Sequence, residues 1–257
     1  IARANIDMDN KQIEKMIQVV KGDANFKREA LANPLGFKGG YLTELWQTAI
    51  KLESTAGKTG MGLATQSVLY GDEKVFIEHS EAGGNSLMFS LSDAALELVS
   101  NTPFSNPVEL LEKILPQVME EGRRLTGRKD LQQNFVYNSL VSVDNAAWML
   151  YAKENNFTNF DQMIPQPYKK ALSHKSDKIA IMFSISYGMD LREVQQAVDE
   201  GYFIFKIKTG APGSQSEMLQ KDMERLTEIH EILKDVRTDQ TNSCKILYTM
   251  DANARYE

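Results

Sequence analysis

The sequence holds a single cysteine, Cys244, so no disulfide can form within the chain and packing alone must hold the fold. The expected role of Cys244 is that of a small apolar residue beside a strand, not a nucleophile. Such sparing use of cysteine fits a reducing compartment, and the expected location is cytoplasmic. There is no long basic run, and the formal net charge is −6. That argues against nucleic acid as the main partner, because phosphate binding needs a clustered cationic surface. It does not exclude a small anionic substrate, since a local pocket can be positive on an acidic protein. No apolar stretch is long enough to span a membrane, so no membrane partner is expected. Short repeats and low-complexity linkers are also missing. What remains is 257 residues, 42% hydrophobic and 25% charged, enough to bury a core in one large domain or two ordinary ones.

The first thirty residues carry little periodicity. Clear patterning starts at Tyr41. The segments Leu42–Glu53 and Gly60–Tyr70 flank Ser54-Thr55-Ala56-Gly57-Lys58 and read as two strands joined by a short turn. His79-Ser80-Glu81-Ala82-Gly83-Gly84 reads as a loop leading into a helix over Ser86–Val99, rather than as a catalytic or metal cluster. Asn106-Pro107 opens a second helix, with Asn as N-cap and Pro in the first turn. A third helix runs from about Asn134 to Lys153. Residues 1–160 are therefore expected to form an α+β domain.

Near Lys178 the pattern changes. Lys178–Ser186 is a short apolar run. Asp190 can cap a helix over Leu191–Glu200, with Leu191, Val194 and Val198 at helical spacing, and Gly201 can end it. Tyr202–Lys208 reads as a buried strand. A helix over Gln215–Lys234 follows, with Met218, Met223, Leu226, Ile229 and Leu233 inward, and then a strand over Ile246–Asp251. Strands alternating with helices imply a parallel sheet in residues 161–257, either an α/β barrel or an open doubly wound sheet.

Side chains alternate along a strand, so Lys206 and Lys208 share one face while Phe203, Phe205 and Ile207 share the other. Two ammonium groups at a partly desolvated strand end would each lower the other's pKa, which suits a general base. The competing reading is a strand that leaves the core with both lysines solvated. Asp251 ends the next strand, where a carboxylate can hold a hard divalent cation; equally, it can cap a turn or helix. Thr209-Gly210-Ala211-Pro212-Gly213 has no phosphate-loop spacing and reads as the loop after the strand. His174 and His230 have no partners at metal-ligand spacing, and His230 is expected on a helix surface.

Lys-Ile-Lys ending one strand, with Asp-Ala-Asn one βα unit later, resembles the enolase superfamily, in its muconate-lactonizing and mandelate-racemase-like branch. The helix around Val143–Lys153 is similar to the segment bridging capping domain and barrel in that family, and the likeness extends over about residues 35–257. The resemblance implies an α+β capping domain followed by a TIM-like (β/α) barrel. It implies removal of the proton alpha to a carboxylate, with an enolate stabilised by Mg²⁺ or another divalent cation. It assigns Lys208 as acid/base, Lys206 as its tuner, Asp251 as metal ligand, and Asn253 as a neighbour of the substrate. A glycine-bearing loop at Leu35–Tyr41 would supply substrate contacts through Phe37, Lys38 and Tyr41, the alternative being an ordinary turn. The family habit also implies a homo-oligomer.

A full barrel takes about 250 residues, and only about 80 follow Lys178, room for roughly two and a half βα units. The chain therefore reads as the front part of a longer protein, cut after its third barrel strand. Three functions compete: a racemase, epimerase or cycloisomerase, with an acid-sugar dehydratase as the related alternative; an inactive fragment with a scaffold role; and a non-enzymatic binder of sugar acids or peptides.

Overall fold

The computed structural model describes residues 15–37 and 40–256. The described residues divide into two compact units, one of residues 15–35 and 41–173 and one of residues 36–37, 40 and 174–256.

The first unit begins with a three-stranded sheet, β1 (Val19–Phe37), β2 (Gly40–Ser54) and β3 (Thr59–Gln66), in that spatial order. β1 occupies the stretch that carries little sequence pattern. Its inward positions near the start are Val19, Gly22 and Ala24, too small to give a hydrophobic signature, and most of its remaining described side chains are exposed. β2 shows clean alternation, burying Leu42, Trp46, Thr48, Ile50, Leu52 and Ser54 on one face. Phe26 of β1 stacks on Trp46 with ring centroids 4.3 Å apart. β3 pairs antiparallel with β2, placing Gly62 opposite Ile50 and Gly60 opposite Leu52. These two glycines let a helix lie directly on the strand. A Cβ on Gly62 would sit 2.1 Å from the Ser142 carbonyl oxygen, and one on Gly60 2.2 Å from that of Ala146.

β3 ends at Gln66, short of the Tyr70 expected from sequence. Ser67 caps a one-turn helix, α1 (Val68–Gly71), whose backbone the strand ladder cannot continue. The next helix also starts earlier than its apolar spacing suggests. α2 spans Glu73–Ser100 and is capped by Asp72, which accepts from the Lys74 and Val75 amides. The expected His79–Gly84 loop is reduced to a break at Ser80, with φ 64 and ψ 172, so Gly83 and Gly84 lie within helix. α3 (Pro107–Thr126) starts as predicted, with Asn106 accepting from the Glu109 amide and Pro107 in the first turn. α4 (Gln133–Glu154) and the short α5 (Phe160–Met163) complete the unit. Met88, Leu91, Phe104, Ile114, Phe135 and Leu150 belong to the core between helices and sheet.

The second unit is a parallel sheet of β4 (Phe183–Ile185), β5 (Ile204–Lys208) and β6 (Leu247–Asp251), adjacent in chain order. Helix α6 (Leu191–Asp199) connects β4 to β5, and α7 (Gln215–Leu233) connects β5 to β6. Three parallel strands in consecutive order fit a barrel wall and equally one half of a doubly wound sheet. β4 is shorter than the Lys178–Ser186 run; Ile179 is 89% exposed and leaves the strand unformed there. Asp190 and Glu193 form a reciprocal capping box at α6, which buries Val194 and Ala197. α7 buries Met218, Asp222, Ile229 and Leu233, whereas Met223, expected inward, is 60% exposed. The true stripe follows i, i+4, i+11, i+15 and passes through a carboxylate that hydrophobic counting skips. Cys244 is likewise not packed beside a strand: it is exposed, in a turn with φ 55.

Candidate active site

β5 buries Phe205 and Ile207 and turns Lys206 and Lys208 to the opposite face. Phe205 and Ile207 pack with Val194 of α6 and with Ile229 and Leu233 of α7, so the helices fix which face is covered. The parallel register then does the rest. Lys206 lies between Ser184 of β4 and Thr249 of β6, and Lys208 lies beside Asp251. Partners in a parallel ladder point the same way, so these side chains form one polar face at the C-terminal end of the sheet.

The lysines are not bare neighbours. Asp251 Oδ2 lies 2.7 Å from Lys206 Nζ and 2.7 Å from Lys208 Nζ. Lys208 Nζ also donates to Asn253 Oδ1 at 2.9 Å. The chain after β6 turns tightly to allow this: the Asn253 amide donates to Asp251 Oδ1 at 3.1 Å, and Asn253 and Ala254 take left-handed φ values of 48 and 55. Hydrogen bonds from Lys206 and then Lys208, with the Asn253 amide, hold the Asp251 carboxyl well below the usual carboxylate range. Asp251 is therefore ionised throughout the physiological range, and one of its oxygens is shared by both ammonium groups.

The structure thus joins Lys206, Lys208 and Asn253 through Asp251, with Lys208 also bonded to Asn253. Phe37 is the last residue of β1 and Tyr41, exposed, is the second of β2; Lys38 lies outside the described residues. Glu81 is structural, accepting from the Thr43 amide at 2.9 Å and from its hydroxyl at 2.5 Å. His174 is exposed, and His230 Nδ1 lies 2.5 Å from the Tyr248 hydroxyl on the surface. Asp222 and Tyr256 were not foreseen. Asp222 is buried on α7 and accepts from the Tyr256 hydroxyl at 2.6 Å. The available signal was an acidic residue one helical turn after Met218, on an inward stripe.

A magnesium ion takes six oxygen ligands in near-octahedral geometry. Among the described residues no group of three or more His, Cys, Asp or Glu side chains is placed to hold a metal. Asp251 offers one hard oxygen donor of the right type, already engaged by two ammonium groups. These side chains do not by themselves make a divalent site.

No family model and no curated protein matches the sequence. Solved structures do. L-talarate/galactarate dehydratase from Salmonella typhimurium aligns with TM-score 0.52 at 18% identity, over 90% of this chain and 52% of its own. An enolase-superfamily protein from Listeria innocua aligns with TM-score 0.58 at 18% identity, over 94% and 53%. Dipeptide epimerase from Enterococcus faecalis aligns with TM-score 0.53 at 13% identity, over 92% and 54%. The chain shares its fold with these structures. The chain spans about half the length of these structures, one of which is described as a member of the enolase superfamily. Their shared fold accounts for an α+β unit followed by parallel βα units. Among the described residues no helix is long and apolar enough to cross a membrane.

Proposed function

We propose that this chain carries the acid/base part of an enolase-type active site, acting on the carbon alpha to a substrate carboxylate. The supporting observation is the Lys206–Asp251–Lys208 cluster at the C-terminal end of parallel strands, where barrel enzymes place their chemistry. In this reading Lys208, when unprotonated, takes the α-proton onto Nζ and later returns a proton to carbon. Lys206 contributes a fixed positive charge beside it, and Asp251 holds both lysines in place. Asn253, bonded to Lys208, orients the ammonium and faces the substrate. A divalent cation such as Mg²⁺ would add positive charge against the substrate carboxylate, with Asp251 as one of its ligands and further donors beyond those described here. Structures of talarate dehydratase and dipeptide epimerase with bound Mg are among those sharing the fold, which supports the choice of metal. Phe37, Lys38 and Tyr41 are proposed substrate contacts on the strength of the resemblance, and a soluble homo-oligomer is proposed on the same basis.

Two outcomes share this first step. In a racemase or epimerase the enolate takes a proton back at carbon; in a cycloisomerase it expels an internal β-oxygen substituent, or forms in reverse by that oxygen's addition; in an acid-sugar dehydratase the β-hydroxyl takes a proton and leaves as water. The dehydratase alternative is supported by the talarate/galactarate dehydratases that share the fold. The test is α-proton exchange with solvent deuterium, followed by NMR, for the intact gene product with Mg²⁺ across dipeptides, hydroxy acids and sugar acids. Lys208-dependent exchange is expected for one class, and the product separates isomerisation from water loss. A purified, folded protein showing no exchange on any of them, or exchange that survives loss of Lys208, refutes the reading.

A further inference from the structure

The second unit holds a buried carboxylate that the proposed chemistry does not use. Asp222 is 5% exposed, in the middle of α7. Among the described residues no lysine or arginine forms an ion pair with it. Its donors come from two different loops. One is the loop after β5: the Gly210 amide donates to Oδ2, and the Ala211 amide to Oδ1 at 3.2 Å. The other is the loop after β6: the Tyr256 hydroxyl donates to Oδ2 at 2.6 Å. A third loop, after β4, brings Tyr187 close. Its hydroxyl is buried without a partner, and its pKa is raised by burial and then by the charge of Asp222.

The two bonded loops are those that follow the reacting groups. Gly210 is two residues beyond Lys208, and Tyr256 five beyond Asp251. They also touch each other. The Thr209 amide donates to the Asp251 carbonyl at 3.0 Å, and Gln215 Nε2 donates to the Arg255 carbonyl at 3.0 Å. Gly210 has φ +92, and a Cβ there would lie 2.9 Å from Arg255 Cβ, so the loops pass at backbone contact. A bare carboxylate buried at this depth is costly unless its oxygens are bonded. Among the described residues every hydrogen bond to the carboxylate comes from these two loops, so it is satisfied only when both loops are in place.

We propose that Asp222 is a positioning residue: it clamps the loops after β5 and β6 together and thereby fixes Lys208 against Asp251 and Asn253. This rests on the acid/base role given above to Lys208.

The test uses Asp222→Asn, nearly isosteric, and Tyr256→Phe, which removes one hydroxyl, in the intact gene product. Asp222→Asn presents an NH₂ where one donor now points, so one loop contact must break. Rates are normalised to folded protein. For Asp222→Asn, kcat for α-proton exchange should fall roughly 10- to 100-fold with KM within about threefold, the pattern of a misplaced catalytic group. Tyr256→Phe should fall in the same sense by a smaller factor. In a Lys208→Ala background, Asp222→Asn should lower the residual rate no further, because both changes remove the same step. A merely structural role would lower both backgrounds equally, and that result overturns the proposal. A second readout needs no substrate. Amide hydrogen exchange should quicken about tenfold or more in Asp222→Asn in both peptides covering 209–213 and 252–256, with that of α6 unchanged. Unchanged protection, or a change in only one loop, also overturns the proposal. If Lys208→Ala leaves exchange intact, the proposed function fails instead, and the amide-exchange result still decides whether the clamp exists.

Discussion

Replacing Lys208 by Met tests the proposed chemistry most directly, because the structure separates its catalytic from its structural effect. Met keeps the length and much of the apolar stem of Lys and deletes the ammonium. On the structural side, the change removes one of two cations from Asp251 Oδ2 and the bond to Asn253. The Lys208 and Asp251 side chains are 21% and 28% exposed, so water screens the loss, and Lys206 still pairs with the carboxylate at 2.7 Å. The stability cost should be about 1 kcal/mol, a drop of about 2–4 °C in Tm for a protein of this size class. On the catalytic side, a general base contributes roughly 10²- to 10⁴-fold, or about 3–5.5 kcal/mol of barrier. Lys208→Met should therefore remain folded yet lose at least two orders of magnitude in α-deuterium incorporation. Lys206→Met, which leaves the base in place, should lose less. The assay is proton NMR of the substrate α-position in D₂O with Mg²⁺, alongside a thermal melt of each variant. A Lys208→Met protein within tenfold of wild type, or one more impaired by Lys206→Met, would refute the assignment of Lys208 as the base.

The lowered Asp251 pKa carries a pH prediction for Asp251→Asn. A depressed carboxyl stabilises above its unfolded value of about 3.9, and the contribution is lost as pH falls through the folded value. Urea unfolding should show Asp251→Asn less stable than wild type by about 1–2 kcal/mol near pH 7, and the gap should close only below about pH 4. Glu109 makes the same argument in the first unit. Bonds from Lys113 and from Ser105 lower its pKa to about 2. Glu109→Gln should cost about 1 kcal/mol at neutral pH, and the difference should vanish in melts as pH drops from about 4.3 towards 2. Gly62→Ala tests the close approach of β3 and α4. Its Cβ meets backbone and cannot be accommodated by rotating a side chain, so the loss should be at least about 2 kcal/mol, or about 4–8 °C in Tm; a neutral substitution would contradict the contact.

Local chemistry was legible wherever one residue type decides an outcome. Asn106-Pro107 started α3 where expected, and Asp190 capped α6. The alternation of Lys206 and Lys208 against Phe205 and Ile207 gave the two faces of β5 before any partner was known. It failed where burial involves small or charged groups. β1 hides behind Gly22 and Ala24, α7 turns inward through Asp222 in place of Met223, and Cys244 lies exposed in a turn. Hydrophobic periodicity registers none of these, because it counts apolar size and not contact.

The sequence by itself determined that Lys206 and Lys208 share a face, since side-chain alternation is a property of one strand. Only the tertiary structure decided what that face meets. The parallel register of β5 and β6 sets Asp251 beside Lys208 across a gap of 43 residues in the chain. The tight turn at Asn253 adds a second acceptor, and a carboxylate on α7 ties down both loops. Pairing between distant strands depends on how helices cover the opposite face, and no short window of sequence contains that information.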